Sequence, residues 1–362
     1  MGTLTAPPKA PPRYAKTRSR SLRIGYVPLI DCAPILVAQH EGLFDKYDLE
    51  VRLSAEPGWA SIREKIIYEE LDVAQCLGGL AFALNYGLGC IRQPVSIPLI
   101  LSANGNAITL SKDIPINILL EENGLRNYLN THQGQKRPFT LAAVHPFSSH
   151  NTLLHSWLSR QGVSVGQDVN IIYLPPSVLS RNLAAGTIDG FCVGEPWNST
   201  SILSGEGWSV ASSVDLDNGH PEKVLAVSQA LVQTRKDDVI ALTAAILEAC
   251  KLCQSLDYRE SLINLLDDYN VIDVSREHLE NSLTGTFQTG HSEPRKLPDF
   301  HLFYGEEINA PTINKANWII TSLRQAGQIT TKERLTGFES IFNTDLYEEA
   351  LAAINNAVGA NR

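Results

Sequence analysis

Two stretches of the chain share one order of polar and apolar positions. Residues 61–79 (SIREKIIYEELDVAQCLGG) place apolar residues at helical spacing, then Leu71-Asp72, then a short apolar run ending in glycine. Residues 180–198 (SRNLAAGTIDGFCVGEPWN) repeat that order, with Ile188-Asp189 in the corresponding place and Gly194 where the apolar run stops. Apolar spacing near 3.6 predicts an amphipathic helix, and the continuous apolar run after it predicts a buried strand. Two such units predict two α/β lobes, each presenting a glycine-bearing loop at a strand's carboxyl end. Ligands of open parallel sheets sit at that edge, where backbone N–H groups and helix N-termini are free. The expectation is a ligand cleft between two lobes.

In chain order, residues 22–29 (LRIGYVPL) read as a strand, and Pro34 falls at a first helical position, with the helix stopping at Gly42. LEVRLSAEPG predicts a second strand. Ser61 with Glu64 three residues on predicts a capping box opening the next helix, and DVAQCL the third strand. This β-α-β-α-β order implies a parallel sheet. Residues 94–110 (PVSIPLILSANGNAITL) are two β-rich halves broken at Asn104-Gly105-Asn106, readable as a hairpin or as the crossing between lobes. A polar segment, 121–137, precedes the strand PFTLAAVHP, a helix over 149–160 and the strand VNIIYLPP. VLAVSQALV reads as the return crossing, and the chain from Asp237 onward is mostly helical, with an irregular break at 285–298. The predicted organisation is a basic, proline-rich tail (1–21), lobe one from 22–105 and 225–362, and lobe two from 106–224.

With 362 residues the chain is long enough for two or three domains. A formal net charge of −9 argues against a nucleic-acid-binding surface spread over the molecule, and no direct nucleic-acid role is assigned to the basic tail. No run of about 18 apolar residues predicts a membrane span, and residues 1–21 lack the apolar core of an export signal, which predicts a cytoplasmic protein. Six cysteines form no disulfide framework, which suits a reducing compartment. Cys250-Lys251-Leu252-Cys253 falls within a helical pattern and reads as core rather than redox or zinc chemistry.

The strings GYVPLIDCAP, GLFDKYDLEV, GWASIREK, NGNAITLS, VHPFSSHN, DGFCVGEPWN and HPEKVLAV occur in this order. Together they resemble the nitrate- and bicarbonate-binding proteins of ABC transporters, over about residues 22–350. The resemblance implies a two-lobed α/β fold of the periplasmic-binding-protein type II. Within that family the chain looks most like the cytoplasmic nitrate/nitrite sensors, which hold an RNA-binding transcription antiterminator and release it on ligand binding. The alternatives are a transporter's solute-binding subunit whose signal was removed, and, remotely, an enzyme of the same fold.

Nitrate is a planar monoanion with three acceptor oxygens, so its site needs about one positive charge, several donors and a flat wall. The resemblance assigns these to Lys223 (charge), His150 and Asn106 (donors), Trp59 (wall or donor) and the backbone of Val193 and Gly194. Asn106 stands where transporter relatives tend to carry glutamine, so nitrate and nitrite are not ranked. With only Glu195 and Glu222 nearby as carboxylates, no metal is expected, and no cofactor is implied. On this reading Lys223→Ala weakens anion binding while the chain stays folded.

Overall fold

In the computed structural model, residues 21–119, 121–131, 137–268, 271–330 and 335–360 are described; apart from Ser21, the expected tail lies outside them. The first apolar runs form β1 (Leu22–Tyr26), β2 (Val51–Ala55) and β3 (Val73–Leu77), with β2 and β3 both parallel to β1 as the β-α-β-α-β order requires. Pro34 lies in the first turn of the helix Ala33–His40, and Gly42, at φ +65°, ends that segment in the left-handed conformation glycine adopts without strain.

After the short helix Leu43–Lys46, the helix Trp59–Ile67 begins two residues ahead of Ser61 and has no side-chain cap, so the expected capping box is not formed. The Ser61 hydroxyl donates instead to Glu56 Oε2 (2.5 Å), and Lys65 Nζ donates to Glu56 Oε1 (2.7 Å). Glu56 is buried, and a buried carboxylate draws donors that would otherwise cap the helix. A reciprocal box does form at Ser212 and Asp215, opening the helix Ser213–Asp217.

At Asn104-Gly105-Asn106 the chain crosses between lobes and makes no hairpin. β4 (Val95–Asn104) belongs to one sheet and β5 (Asn106–Ser111) to another, and two successive left-handed residues, Asn104 (φ +62°) and Gly105 (φ +82°), make the turn. β6 (Thr140–Ala143), β7 (Asn170–Tyr173), β8 (Gly190–Gly194) and β9 (Gly207–Ser212) complete the second sheet in the order β7-β6-β8-β5-β9. β10 (Pro221–Ser228) then enters the first sheet between β3 and β4, antiparallel to both. Membership of that sheet starts at Pro221, ahead of the expected boundary at residue 225.

Within the break at 285–298, β11 (Thr286–Phe287) pairs with β12 (Arg295–Lys296), and β13 (His301–Leu302) closes the first sheet at the edge of β4. The segment read as polar contains the helix Gly124–Thr131, whose short apolar stripe of Leu125, Tyr128 and Leu129 packs on the lobe-two core with only Gly124 and Leu125 fully buried. Cys250 and Cys253 lie fully buried in the helix Lys236–Gln254, which packs on Ala33–His40 and Thr344–Ala360. Among the described residues no single helix is long and apolar enough to cross a membrane.

Each sheet follows one plan. Three parallel strands carry one antiparallel crossing strand beside the strand that ends at the cleft. β5 starts where β8 stops, pairing Asn106 with Gly194, and β10 starts where β3 stops, pairing Lys223 with Leu77. The first residues of each crossing strand therefore fall on the carboxyl edge of a parallel strand, where ligands bind in such sheets.

The two crossings are tied by one side chain. Asn104 Nδ2 donates to Asn218 Oδ1 and to Asp299 O (both 2.8 Å), and Asn104 Oδ1 accepts from Gly219 N (2.8 Å). Asn104→Ala removes these bonds and puts alanine at a positive φ, which should cost roughly 2–4 kcal/mol in urea titrations. Asn104→Gly, which relieves the backbone term alone, should cost less.

Candidate functional site

Lys223 sits at the centre of the interlobe edge with no exposed surface. Its ammonium donates to Asp31 Oδ2 at 2.7 Å and to Glu222 Oε1. Alternation along a strand would turn Glu222 and Lys223 to opposite faces. The ladder instead slips between β10 and β4, where Pro221 partners Ala103 and Lys223 partners Ser102. This bulge leaves Glu222 as the extra residue and brings both side chains to one place. Asp31 comes from the single turn after β1 and is held by Gln75 Nε2 (2.6 Å) from β3.

Lobe two supplies the other side. His150, second residue of the helix Ser149–Arg160, is fully buried with its Nε2 3.4 Å from Glu222 Oε1, and neither ring nitrogen has a hydrogen-bond partner. Ser148 caps that helix through Asn151 N (3.1 Å), and the Ser149 hydroxyl donates to Glu222 Oε2. Asn106 Nδ2 donates to Glu222 Oε2 (2.7 Å) and lies 3.3 Å from His220 Nε2, while its Oδ1 is unpartnered. Gly194 lies beside this group: a Cβ built there would stand 3.4 Å from Asn106 Oδ1 and Asp31 Oδ2 and 3.7 Å from His150 Nε2. A side chain at Gly194 would crowd the cluster from the lobe-two side.

Trp59, the first residue of its helix, presents its ring 5.2 Å from Lys223 Nζ, and its buried Nε1 has no partner. Of the sequence-predicted residues, Trp59, Asn106, His150, Gly194 and Lys223 thus converge. Val193 turns its side chain into the apolar core, and its carbonyl accepts from Asn198 Nδ2 (2.8 Å).

Sequence reasoning missed the electrostatics. Lys223 is not an uncompensated cation, because two carboxylates already neutralise it, and Asp31 was not counted among the nearby acids. Its signal was there, since Asp31 lies inside GYVPLIDCAP and His220 and Glu222 inside HPEK, but their convergence needs the fold. Burial alone would push the Glu222 carboxyl up, yet Lys223, with His150 and His220, holds it well below the usual carboxylate range. Burial likewise opposes the Lys223 charge, and Asp31 with Glu222 reverses that and raises it. Burial lowers His150 to about 3, so it is neutral at pH 7. Burial raises Glu195, which lies just after Gly194, to about 7. Among the described residues no group of three or more His, Cys, Asp and Glu is placed to hold a metal ion.

A model of the NMT1-like family matches residues 15–267, well over half of the chain. The chain belongs to the NMT1-like family. This NMT1-like chain is 37% identical over 334 residues to the nitrate import ATP-binding protein NrtC of Synechocystis sp. (strain PCC 6803), covering 91% of this chain and 50% of that protein. It is 24% identical over 352 residues to the nitrate/nitrite binding protein NrtA of Nostoc sp. (strain PCC 7120), covering 94% and 79%. The chain spans about half the length of the NrtC and CmpC relatives that it matches at 30–37% identity. In the crystal structure of the periplasmic nitrate-binding protein NrtA from Synechocystis PCC 6803, the fold is shared with a TM-score of 0.84 at 22% identity, covering 92% of this chain and 89% of that one. The fold is therefore the two-lobed periplasmic-binding-protein type.

A lysine buried between two carboxylates changes the expectation for Lys223→Ala, because the substitution leaves both acids without their cation. It should cost about 3–5 kcal/mol in urea unfolding rather than leave the fold unaffected. Acid should also weaken the fold through its buried histidines. Burial depresses His145 to about 4 and His150 and His301 to about 3, against 6.5 when unfolded. With folded values lowered, the unfolded chain binds these protons first, so stability falls as pH drops below about 6.5, by about 2 kcal/mol per histidine at pH 5. Urea midpoints at pH 7 and pH 5 check this, and His301→Phe should shrink the difference.

Proposed function

We propose that the chain binds nitrate or nitrite between its lobes and acts as a cytoplasmic sensor rather than an enzyme. On this reading it holds an RNA-binding transcription antiterminator and lets it go when the anion binds, so regulating nitrate assimilation. The carrying observation is the buried donor set contributed by both lobes, Lys223 with Asn106 and His150, beside the Trp59 ring. A planar anion suits such a set: the ammonium supplies charge, amide and imidazole supply donors in the plane, and the indole supplies a flat wall. Relatives named for nitrate, nitrite or bicarbonate binding and import support the ligand class. The serines of the SSHN motif are engaged as a helix cap and as a donor to Glu222, which favours binding over nucleophilic chemistry. All six cysteines are free thiols, in keeping with a reducing compartment.

Because the donors come from two lobes, the anion stabilises the arrangement in which the lobes meet. A partner that prefers the other arrangement is released, with a reciprocal coupling of about 1–3 kcal/mol. The similarity to NrtC favours a second reading, a binding module of an ABC-type import system. Calorimetry with nitrate, nitrite, bicarbonate and sulfate should show saturable heat for nitrate or nitrite, reduced at least tenfold in affinity by His150→Ala. Nitrate should also release the antiterminator from a preformed complex. Anion binding with no antiterminator capture would favour the import reading.

A further inference from the structure

The donors that this reading offers to the anion are already facing an anion of the protein's own. Glu222 Oε2 accepts from Asn106 Nδ2 (2.7 Å) and from the Ser149 hydroxyl, and lies 3.1 Å from His220 Nε2. Glu222 Oε1 accepts from Lys223 Nζ and lies 3.4 Å from His150 Nε2. A carboxylate is a planar, trigonal group with its charge on the oxygens, as nitrate is, and it sits among the same side chains.

Charge makes this arrangement consequential. Lys223 contributes one positive charge, and Asp31 and Glu222 contribute two negative ones, all without meaningful exposure. Burial raises the Asp31 carboxyl against the pull of Lys223, whereas Glu222 is held ionised, so a buried monoanion added beside Glu222 leaves negative charge that Lys223 alone does not balance, and uncompensated buried charge is normally removed by a proton. The hydrogen bonds indicate where that proton can go. His220 Nδ1 faces the Asp217 carbonyl at 2.9 Å, and its Nε2 faces Glu222 Oε2. Nε2 also lies 3.3 Å from Asn106 Nδ2, so a hydrogen on the Glu222 carboxyl would have this ring nitrogen as a ready acceptor while Nδ1–H donates to Asp217 O. Trp318 stacks on that imidazole with ring centroids 5.3 Å apart and donates through Nε1 to Asp217 Oδ2 (2.7 Å), fixing the ring in this orientation.

We propose that Glu222 is the internal anion of the site, and that a small monoanion binds together with about one proton, taken by the Glu222 carboxyl. The proposal rests on the anion-binding reading above. The ionisable groups around Glu222 are His220 and Lys223 from its own segment, Asp31 after β1, His150 from the lobe-two helix, Cys192 on β8 and His301 on β13. Of these, Glu222 alone touches every donor the anion must take over. Protonated, it loses its charge, which weakens its hold on Lys223 and Asn106 although one oxygen still accepts, and its O–H becomes a donor to the incoming oxygen. With Asp31, Glu222 shares the pairing of the buried Lys223 ammonium.

Calorimetry with sodium nitrate in buffers of different ionisation enthalpy counts the protons directly and needs no variant. The wild type should take up as much as one proton per nitrate, with affinity falling by up to about tenfold per unit as pH rises between 5 and 8. Glu222→Gln keeps the shape of the side chain and leaves Lys223 paired with Asp31, so it should fold. It should bind nitrate with no proton uptake, with affinity flat in pH and tighter than wild type at pH 8. His150→Gln should weaken binding yet keep the proton uptake. Nitrate binding with no proton uptake by the wild type, or uptake that persists in Glu222→Gln, overturns the proposal while leaving the anion-binding reading intact. No nitrate binding by the wild type at any pH overturns both.

Discussion

The contact on which the site depends is the Lys223 ammonium held between Asp31 and Glu222 with no exposed surface. A charge removed from water is tolerated only when opposite charges and hydrogen bonds replace its hydration. Here the replacements come from distant parts of the chain. Asp31 follows β1 and is itself held by Gln75 of β3, while Glu222 reaches the same point because a bulge in β10 defeats the alternation of the strand. From the other lobe, Asn106, Ser149 and His150 close on the same carboxylate. The lobes therefore meet through polar contacts at this point, an interaction far more sensitive to an added charge than an apolar seam would be.

Topology explains why these residues can meet at all. A strand of each sheet begins as the chain arrives from the other lobe, and it lies beside the strand that ends at the cleft. Asn106 and Lys223 are each among the first residues of such a strand, so both crossings deliver polar side chains straight to the ligand edge. Asn104 binds the two crossings to each other, coupling the start of lobe two to its end. At the other end of the contact, a Cβ on Gly79 would come within 2.4 Å of the Phe147 carbonyl, so only glycine lets the two lobes approach this closely there.

Most of the architecture was legible along the chain because helix and strand periods are local. The repeated helix, apolar-Asp pair and apolar strand marked both lobes, and Pro34, Gly42 and the helix over 149–160 fell where the pattern put them. Local rules failed where a buried group made a stronger demand. Ser61 was drawn from its expected capping role by Glu56, and the helix Gly124–Thr131 went unseen because its three apolar positions, Leu125, Tyr128 and Leu129, are set among polar residues. The NGN break could be read two ways, since a turn signal states that the chain bends but not which sheet it joins next.

By itself the sequence determined the α/β fold class, the repeat behind the two lobes and the core character of the paired cysteines, because period is written in neighbouring positions, while most of the residues that gather at the cleft came from the resemblance to anion-binding relatives. Only the tertiary structure decided what state of charge those residues share. Asp31, Glu222 and Lys223 lie far apart or on nominally opposite faces, and their partnership exists only once a bulge and a crossing have brought them within hydrogen-bond distance. Coulomb energy depends on that separation and on the loss of solvent around it, and neither quantity is carried by the order of residues along the chain.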